Sequence, residues 1–318
     1  MDIAELPSIT MTDPPFNDAS DLADLVIRTS DKVDFFVHRA FLLLRSPSSF
    51  FRHVLEGSHH TEEKGGLPVL EVNEDSTTFK FILLFCYPYG TPELTSIEQL
   101  LAVGVALDKY CMDHAFERFV QSVLTSPLIK EQPLRVFAVA VANGWKMLGE
   151  TAARNTLGVP LDGVESDVEE LDGISARHLQ RLLNYRKRCR KTTQIRWLIW
   201  LSDQPGCELL NPSSKCQRCE ETLKSSRFCE GKGRLFSHSW LNNSYMKLVK
   251  EKLLVDPRPQ VAFDDGIIRG AILASIKECN SDSWIRGAFS QIHGLAQLVA
   301  AEIEKRISEV PLEIEWTK

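Results

Sequence analysis

Leu25-Val26-Ile27 is an apolar, β-branched run with the length of a buried strand, and Phe35-Phe36-Val37 repeats that character after a polar gap. Ser30-Asp31-Lys32 supplies the gap with turn residues, since Ser and Asp bond back onto their own backbone. From Phe41 to Leu44 the pattern becomes helical, so this stretch predicts a hairpin running directly into a helix. Leu67 to Val72 predicts a third strand, whereas His53 to Gly66 has no apolar period and reads as a loop. Asp75 or Ser76 is placed to cap a helix starting at Thr77, in which Phe79, Ile82, Leu83 and Cys86 share one face; Pro88, Gly90 and Pro92 close it. Ser96-Ile97-Glu98-Gln99 is a capping box, with Leu100, Val103 and Leu107 as the stripe of the helix behind it.

From Pro133 onward the pattern is helical throughout. Leu134, Phe137, Ala138 and Val141 make one face, Gly144 ends that helix, and Met147 to Leu157 forms a second. Asp162 to Asp172 is an acidic linker. Ser175 to about Leu201 reads as one long helix or two, with Leu179, Leu182 and Leu183 as its core stripe. Pro205 to Arg234 is polar, Cys-rich and loop-like, and Ser239 to Val255 is helical again. The last helix carries Ile285, Phe289, Ile292, Ala296, Val299, Ile303 and Ile307 as an amphipathic stripe. The fold class is α+β at the N-terminal end and all-helical beyond it.

Length and composition narrow this only modestly. With 318 residues, 43% hydrophobic and 25% charged, the chain can hold two ordinary domains with their own cores. Its net charge of −6 argues against wholesale nucleic-acid binding. Apolar runs are too short to span a bilayer, and Met1 to Asp24 holds six acids and no Lys or Arg, unlike a signal peptide. A cytoplasmic or nuclear location is expected, with the eight cysteines as thiols unless a metal takes them.

Candidate chemistry is sparse. Phosphate-loop, dinucleotide-fingerprint, nucleophile-elbow and His-Glu-x-x-His motifs are all missing, so no enzyme, catalytic residue, metal ligand or cofactor is assigned. His59-His60 beside Glu62-Glu63 reads as exposed loop. Cys207, Cys216, Cys219 and Cys229 are spaced C-x8-C-x2-C-x9-C, with His238 nearby; such a set either grips one zinc ion or stays as four loop thiols. Between Gly173 and Leu201 there are eight Lys or Arg and no acid, including Arg186-Lys187-Arg188-Cys189-Arg190-Lys191. This segment reads as an import signal, an anion-binding patch or a solvated helix face, and Glu165, Asp167, Glu169, Glu170 and Asp172 of the linker stand ready to neutralise it.

One set of residues is more specific. Asp24-Leu-Val-Ile27, eight residues, Phe36-Val-His-Arg39 and then Leu42-Leu-Leu-Arg-Ser-Pro47 resemble the opening of BTB/POZ domains. The resemblance continues through Leu67–Ser76, Phe79–Pro88 and Leu94–Tyr110. Glu131–Ala140, Ile174-Ser-Ala176 with Leu182-Leu183-x-Tyr185, and Ile307–Leu312 are similar to the helical extension of BTB proteins from mushroom-forming (basidiomycete) fungi, so that it spans roughly residues 18–312. It implies a flexible acidic arm at 1–17, a BTB/POZ-like domain of a small sheet flanked by helices at 18–126, and a helical region at 127–318 with a Cys-rich loop near 205–234. The segment Ser46 to Phe51 is longer than the family's usual join of its first two helices. The function implied is non-enzymatic protein–protein interaction, either self-association or docking to the scaffold of cullin-type ubiquitin ligases. The family's exchanged dimers use an N-terminal strand and helix, and Met1–Asp21 here is acidic and broken by prolines. Asp24 and Arg39 match positions of a charged pocket on the family's interaction face, with His38 at the helix entry; the same pair equally serves to fix the turn from strand to helix. The rival reading is a zinc-stabilised transcriptional or chromatin regulator using the four cysteines and the basic helix.

Overall fold

The computed structural model describes residues 9–19, 22–44, 50–56, 62–160, 168–202, 239–279 and 281–316. The chain divides into two compact units, the first comprising Met1–Ala152 with Val168–Ile174 and Trp316–Lys318, the second Ala153–Asp167 with Ser175–Glu315.

The first unit is built on a five-stranded sheet in the order β1-β3-β2-β5-β4. Its strands are β1 (Thr10–Met11), β2 (Leu25–Arg28), β3 (Val33–Val37), β4 (Glu63–Lys64) and β5 (Leu67–Glu71). The β2–β3 hairpin sets Leu25 opposite Val37 and Ile27 opposite Phe35, and β5 runs parallel to β2 with Val69 beside Val26. Alternation then decides the faces. Leu25, Ile27, Phe35 and Val37 are fully buried, and the Phe35 ring meets Phe79 edge-on at 5.8 Å. On the opposite face Val26, Phe36 and Val69 form a second apolar cluster. Lys32 closes the hairpin in a left-handed conformation at φ 61°.

Helices α1 (Arg39–Leu44) and α2 (Phe50–Glu56) follow the hairpin, and α3 (Ser76–Cys86), α4 (Ile97–Lys109) and α5 (Asp113–Thr125) pack together behind it. Asp75 caps α3, accepting from Thr78 N–H at 2.9 Å. The capping box at Ser96 forms with a shift: Ser96 Oγ accepts from Gln99 N–H, but Gln99 reaches back to Thr95 N–H. Then come α6 (Leu128–Glu131), α7 (Pro133–Ala142) and α8 (Lys146–Asn155), with Gly144 at φ 72° reversing the chain between the last two. In α7 Leu134 is only partly buried while Val136 through Val141 are all buried, so this helix is core on nearly every side.

Two expectations for this unit change. The stretch 53–66 is not loop throughout, because α2 runs to Glu56 and Glu63–Lys64 pair with Leu67–Pro68. The aperiodic sequence hid the strand, which is only two residues long and charged. Residues 9–17, expected within a flexible arm, lie on the sheet: β1 pairs in parallel with β3, Phe36 N–H donates to Phe16 O at 2.8 Å, and Phe16 is buried among Phe35, Tyr87 and Tyr89. One buried aromatic ring and three backbone bonds offset the ordering cost that an acidic, proline-bearing sequence otherwise suggests.

The second unit holds α9 (Ala176–Thr192), α10 (Trp197–Ser202), a π-helical segment at Trp240–Met246, α11 (Lys247–Leu253), α12 (Asp265–Glu278) and α13 (Asp282–Ser308). Ser175, Asp264 and Ser281 cap α9, α12 and α13. The Glu278 carboxylate accepts from Ser239 and Trp240 N–H, capping the π segment from another helix. On α9 the buried positions are Leu182, Tyr185, Arg186 and Cys189; Leu179 is only partly covered, and Leu183 faces outward. The stripe of α13 also differs from expectation at its start. Ile292, Ala296, Val299, Ile303 and Ile307 are buried, but Ile285 and Phe289 are exposed and Trp284 and Ala288 take the inner positions. The 4-3 spacing drifts around a straight helix, so a seven-member stripe read linearly leaves the buried face at one end. Among the described residues no helix is long and apolar enough to cross a membrane.

Candidate functional site

The segment that opens the sequence pattern also builds the most distinctive surface. Asp24 directly precedes β2, and its N–H donates to Val37 O, extending the hairpin by one bond. That register sets Asp24 beside the start of α1. Its Oδ1 accepts from Arg39 N–H at 2.7 Å, satisfying one of the orphan amides of a helix end. In return Arg39 Nε donates to Asp24 O at 3.3 Å. The structure therefore brings the expected pair together, but each charged side chain meets the other residue's backbone and the two charges do not form a direct ion pair. His38 joins them through its backbone, its N–H donating to Tyr87 Oη at 2.7 Å. Its ring lies at an aromatic group in which Phe41 and Tyr87 approach to 4.4 Å between centroids. Burial pushes the Tyr87 phenol up to about 12, against the opposing effect of the His38 N–H.

Around this joint the surface is apolar and open. Leu22, two residues before Asp24, is 86% exposed, and on α1 Ala40 and, to 70%, Leu44 are exposed as well; Phe50 of α2, 42% exposed, packs instead on Phe51 and Tyr110. Side chains four apart on a helix share a face, so Ala40 and Leu44 project together. Exposed apolar side chains gathered in sequence on either side of the Asp24–Arg39 joint are what a contact surface requires. Leu22 and Ala40 carried no sequence signal, since nothing in a linear pattern says which isolated apolar residues face outward.

The remaining candidates are placed differently. The segment 186–191 lies inside α9, where Arg186 is buried and donates to Val159 O at 2.7 Å. The acidic linker does not neutralise this helix among the described residues: Glu170 is held by Arg135 of α7 instead. His59-His60, Cys207, Cys216, Cys219, Cys229 and His238 lie outside the described residues. Among the described residues no group of three or more His, Cys, Asp or Glu is arranged to hold a metal ion.

The first unit thus holds a hairpin entering two short helices, a strand parallel to β2 and three packed helices behind it. Residues 15–126 match the BTB/POZ domain family, and the N-terminal unit carries a BTB/POZ domain, a protein-interaction module. No curated protein matches the chain. The match accounts for β2 to β5 and for α1 to α5; β1 precedes it, and it ends at Ser126, before α6.

Asp24 has a measurable structural share. Asp24→Ala is expected to lower stability by about 1 kcal/mol, the usual value of a lost cap, whereas Asp24→Asn keeps an accepting oxygen and most of that stability. Urea melts of the two variants check this. A partner that reads the charge itself would bind the Asn variant more weakly despite its retained fold.

Proposed function

We propose that this chain is a non-enzymatic protein-interaction protein whose BTB/POZ domain self-associates through the exposed apolar residues Leu22, Ala40 and Leu44 next to the Asp24–Arg39 joint. The observation carrying this reading is the exposure of Leu22 and Leu44 beside the Asp24–Arg39 joint, an arrangement that costs apolar hydration unless a partner covers it. The pairing of β1 with β3 of its own chain supports a face-to-face contact without strand exchange. A two-fold contact suits such a surface, because one self-complementary patch serves both copies.

Sedimentation velocity of the full chain tests it. The wild type is expected to run as a dimer in the micromolar range. Leu22→Glu/Leu44→Glu, at two exposed positions that the fold does not need, is expected to weaken association by about a hundredfold or more, the loss typical of central interface anchors. A wild type that stays monomeric at about ten times the concentration at which dimers normally form sinks the proposal. A monomer that retains a purified cullin scaffold would support the adaptor reading instead.

A further inference from the structure

The basic helix α9 has an unexpected partner. Arg188 Nη2 donates to Pro311 O at 2.7 Å and its Nη1 bonds Glu313, while Arg181 Nη2 donates to Glu315 Oε1 at 2.9 Å. The residues after α13 therefore run antiparallel to α9, with Pro311 and Glu313 beside its second half and Glu315 nearer its start. They alternate in burial: Glu313 and Glu315 are exposed while Ile314 between them is buried. This short segment has no regular secondary structure. It is thus an acidic-apolar-acidic peptide laid along a basic helix face, its apolar side chain turned inward and its two carboxylates outward, with a tight turn at Glu313 where Ile314 N–H donates to Leu312 O. Arg177 lies one turn before Arg181 on the same face, and together with His178 it helps Arg181 to hold the Glu315 carboxyl below its ordinary range. Two acids against the eight Lys and Arg between Gly173 and Leu201 leave the helix strongly positive.

We infer that α9 is a docking strip for acidic peptide segments with an apolar residue between two carboxylates, and that Pro311–Glu315 occupies it in cis as a displaceable competitor. This site is separate from the BTB/POZ face and does not rest on the self-association reading. The segment is held by two ion pairs, individually weak and salt-sensitive, by the Arg188 bond to the Pro311 carbonyl and by the burial of one apolar side chain, Ile314. Tethering adds to these contacts a local concentration in the millimolar range for a short link. A free partner peptide must exceed that, so the strip is gated by its own chain.

The test uses the full chain and a fluorescein-labelled peptide of the sequence Pro311–Lys318, followed by anisotropy at low salt. Glu313→Lys/Glu315→Lys, at exposed positions, repels the segment from α9 and opens the strip. This variant is expected to bind the peptide about tenfold or more tightly than wild type. Adding Arg181→Gln/Arg188→Gln, which keeps length and hydrogen bonding, is expected to abolish that gain. Circular dichroism melts confirm that each variant stays folded, and Arg188→Lys is a milder alternative if the double Gln variant does not. Equal peptide binding by wild type and the opened variant overturns the inference, as does binding that survives loss of Arg181 and Arg188. Equal affinity for a poly-glutamate peptide or single-stranded DNA of the same charge overturns it too, since that reports unspecific charge attraction.

Discussion

Arg28→Met is expected to destabilise the protein by about 3–5 kcal/mol, the range for removing one partner of a buried ion pair. Arg28 and Asp34 face each other across the β2–β3 hairpin, with side chains 4% and 0% exposed. The guanidinium donates to Asp34 through Nε at 2.7 Å and Nη2 at 3.1 Å, and its Nη1 reaches Glu62 at 2.6 Å. Lys64, on the edge strand β4, adds a bond to the second Asp34 oxygen at 2.6 Å. Four charges thus tie three strands together. Methionine replaces the packing of the arginine stem but leaves a wholly buried carboxylate with one half-exposed lysine. The double variant Arg28→Met/Asp34→Leu removes both buried charges, while Glu62 can turn to water and Lys64 is already partly hydrated. It is expected to be less destabilised than the single variant, because the main penalty is the stranded charge and not the lost attraction. Denaturant melts of the two variants, with Asp34→Leu completing the cycle, measure the coupling.

The same network has a pH signature. Burial by itself raises the Asp34 carboxyl, but the bonds from Arg28 and Lys64 outweigh it and hold the group below its ordinary range. The unfolded chain therefore binds this proton more readily than the folded one. The stabilisation is fully present above the unfolded value of about 4 and is lost as pH falls through the lower folded value. Without Arg28 the folded carboxyl accepts a proton earlier. The stability gap between wild type and Arg28→Met is therefore expected to narrow below about pH 4. A gap that widens there would contradict the assignment.

This network shows which parts of the structure were legible in the sequence. Leu25–Ile27 and Phe35–Val37 announce the hairpin because two apolar runs around turn residues have few other solutions. Once the turn is fixed, the register places Arg28 opposite Asp34, so this pair was readable one step beyond the pattern. Glu62 and Lys64 were not, because nothing in an aperiodic stretch says that Glu63–Lys64 return as a strand edge. Asp24 and Arg39 were found by their place in a family motif, but their role as a crossed side-chain-to-backbone joint depends on hydrogen bonds that no linear spacing encodes. Charge partners failed more generally. The acidic linker is adjacent to the basic helix in sequence, yet the acids that meet α9 are Glu313 and Glu315, more than a hundred residues away. Proximity along a chain is a poor guide to pairing once both segments are folded, because helix faces and not sequence distance decide which side chains meet.

The second large effect concerns Trp145, which lies beyond the residues that match the BTB/POZ family. Its indole packs edge-on against Phe116 and Phe119 of α5, at 5.7 Å from each ring, and against Gly104 of α4. Trp145→Ala is expected to cost about 3–5 kcal/mol, as large-to-small changes of buried aromatics do. Gly104 decides whether the fit, and not merely the area, is responsible. A Cβ there would stand 2.3 Å from the Trp145 ring and 2.9 Å from Phe119, where real contacts do not occur. In a wild-type background two effects oppose. Alanine gains about 1 kcal/mol of helix propensity over glycine, while overpacking costs about 1–3 kcal/mol and has little room to relax against two buried rings. The clash wins, and Gly104→Ala is expected to destabilise. In a Trp145→Ala background the ring is gone, only the Phe119 contact remains, and the same substitution is expected to become neutral or stabilising by up to about 1 kcal/mol. That reversal of sign, read in denaturant melts, would show that the helices after Ser126 are seated into α4 and α5. A Gly104→Ala cost unchanged by the loss of Trp145 would mean that the tryptophan does not shape this core. It would also leave the first unit ending where the family match ends.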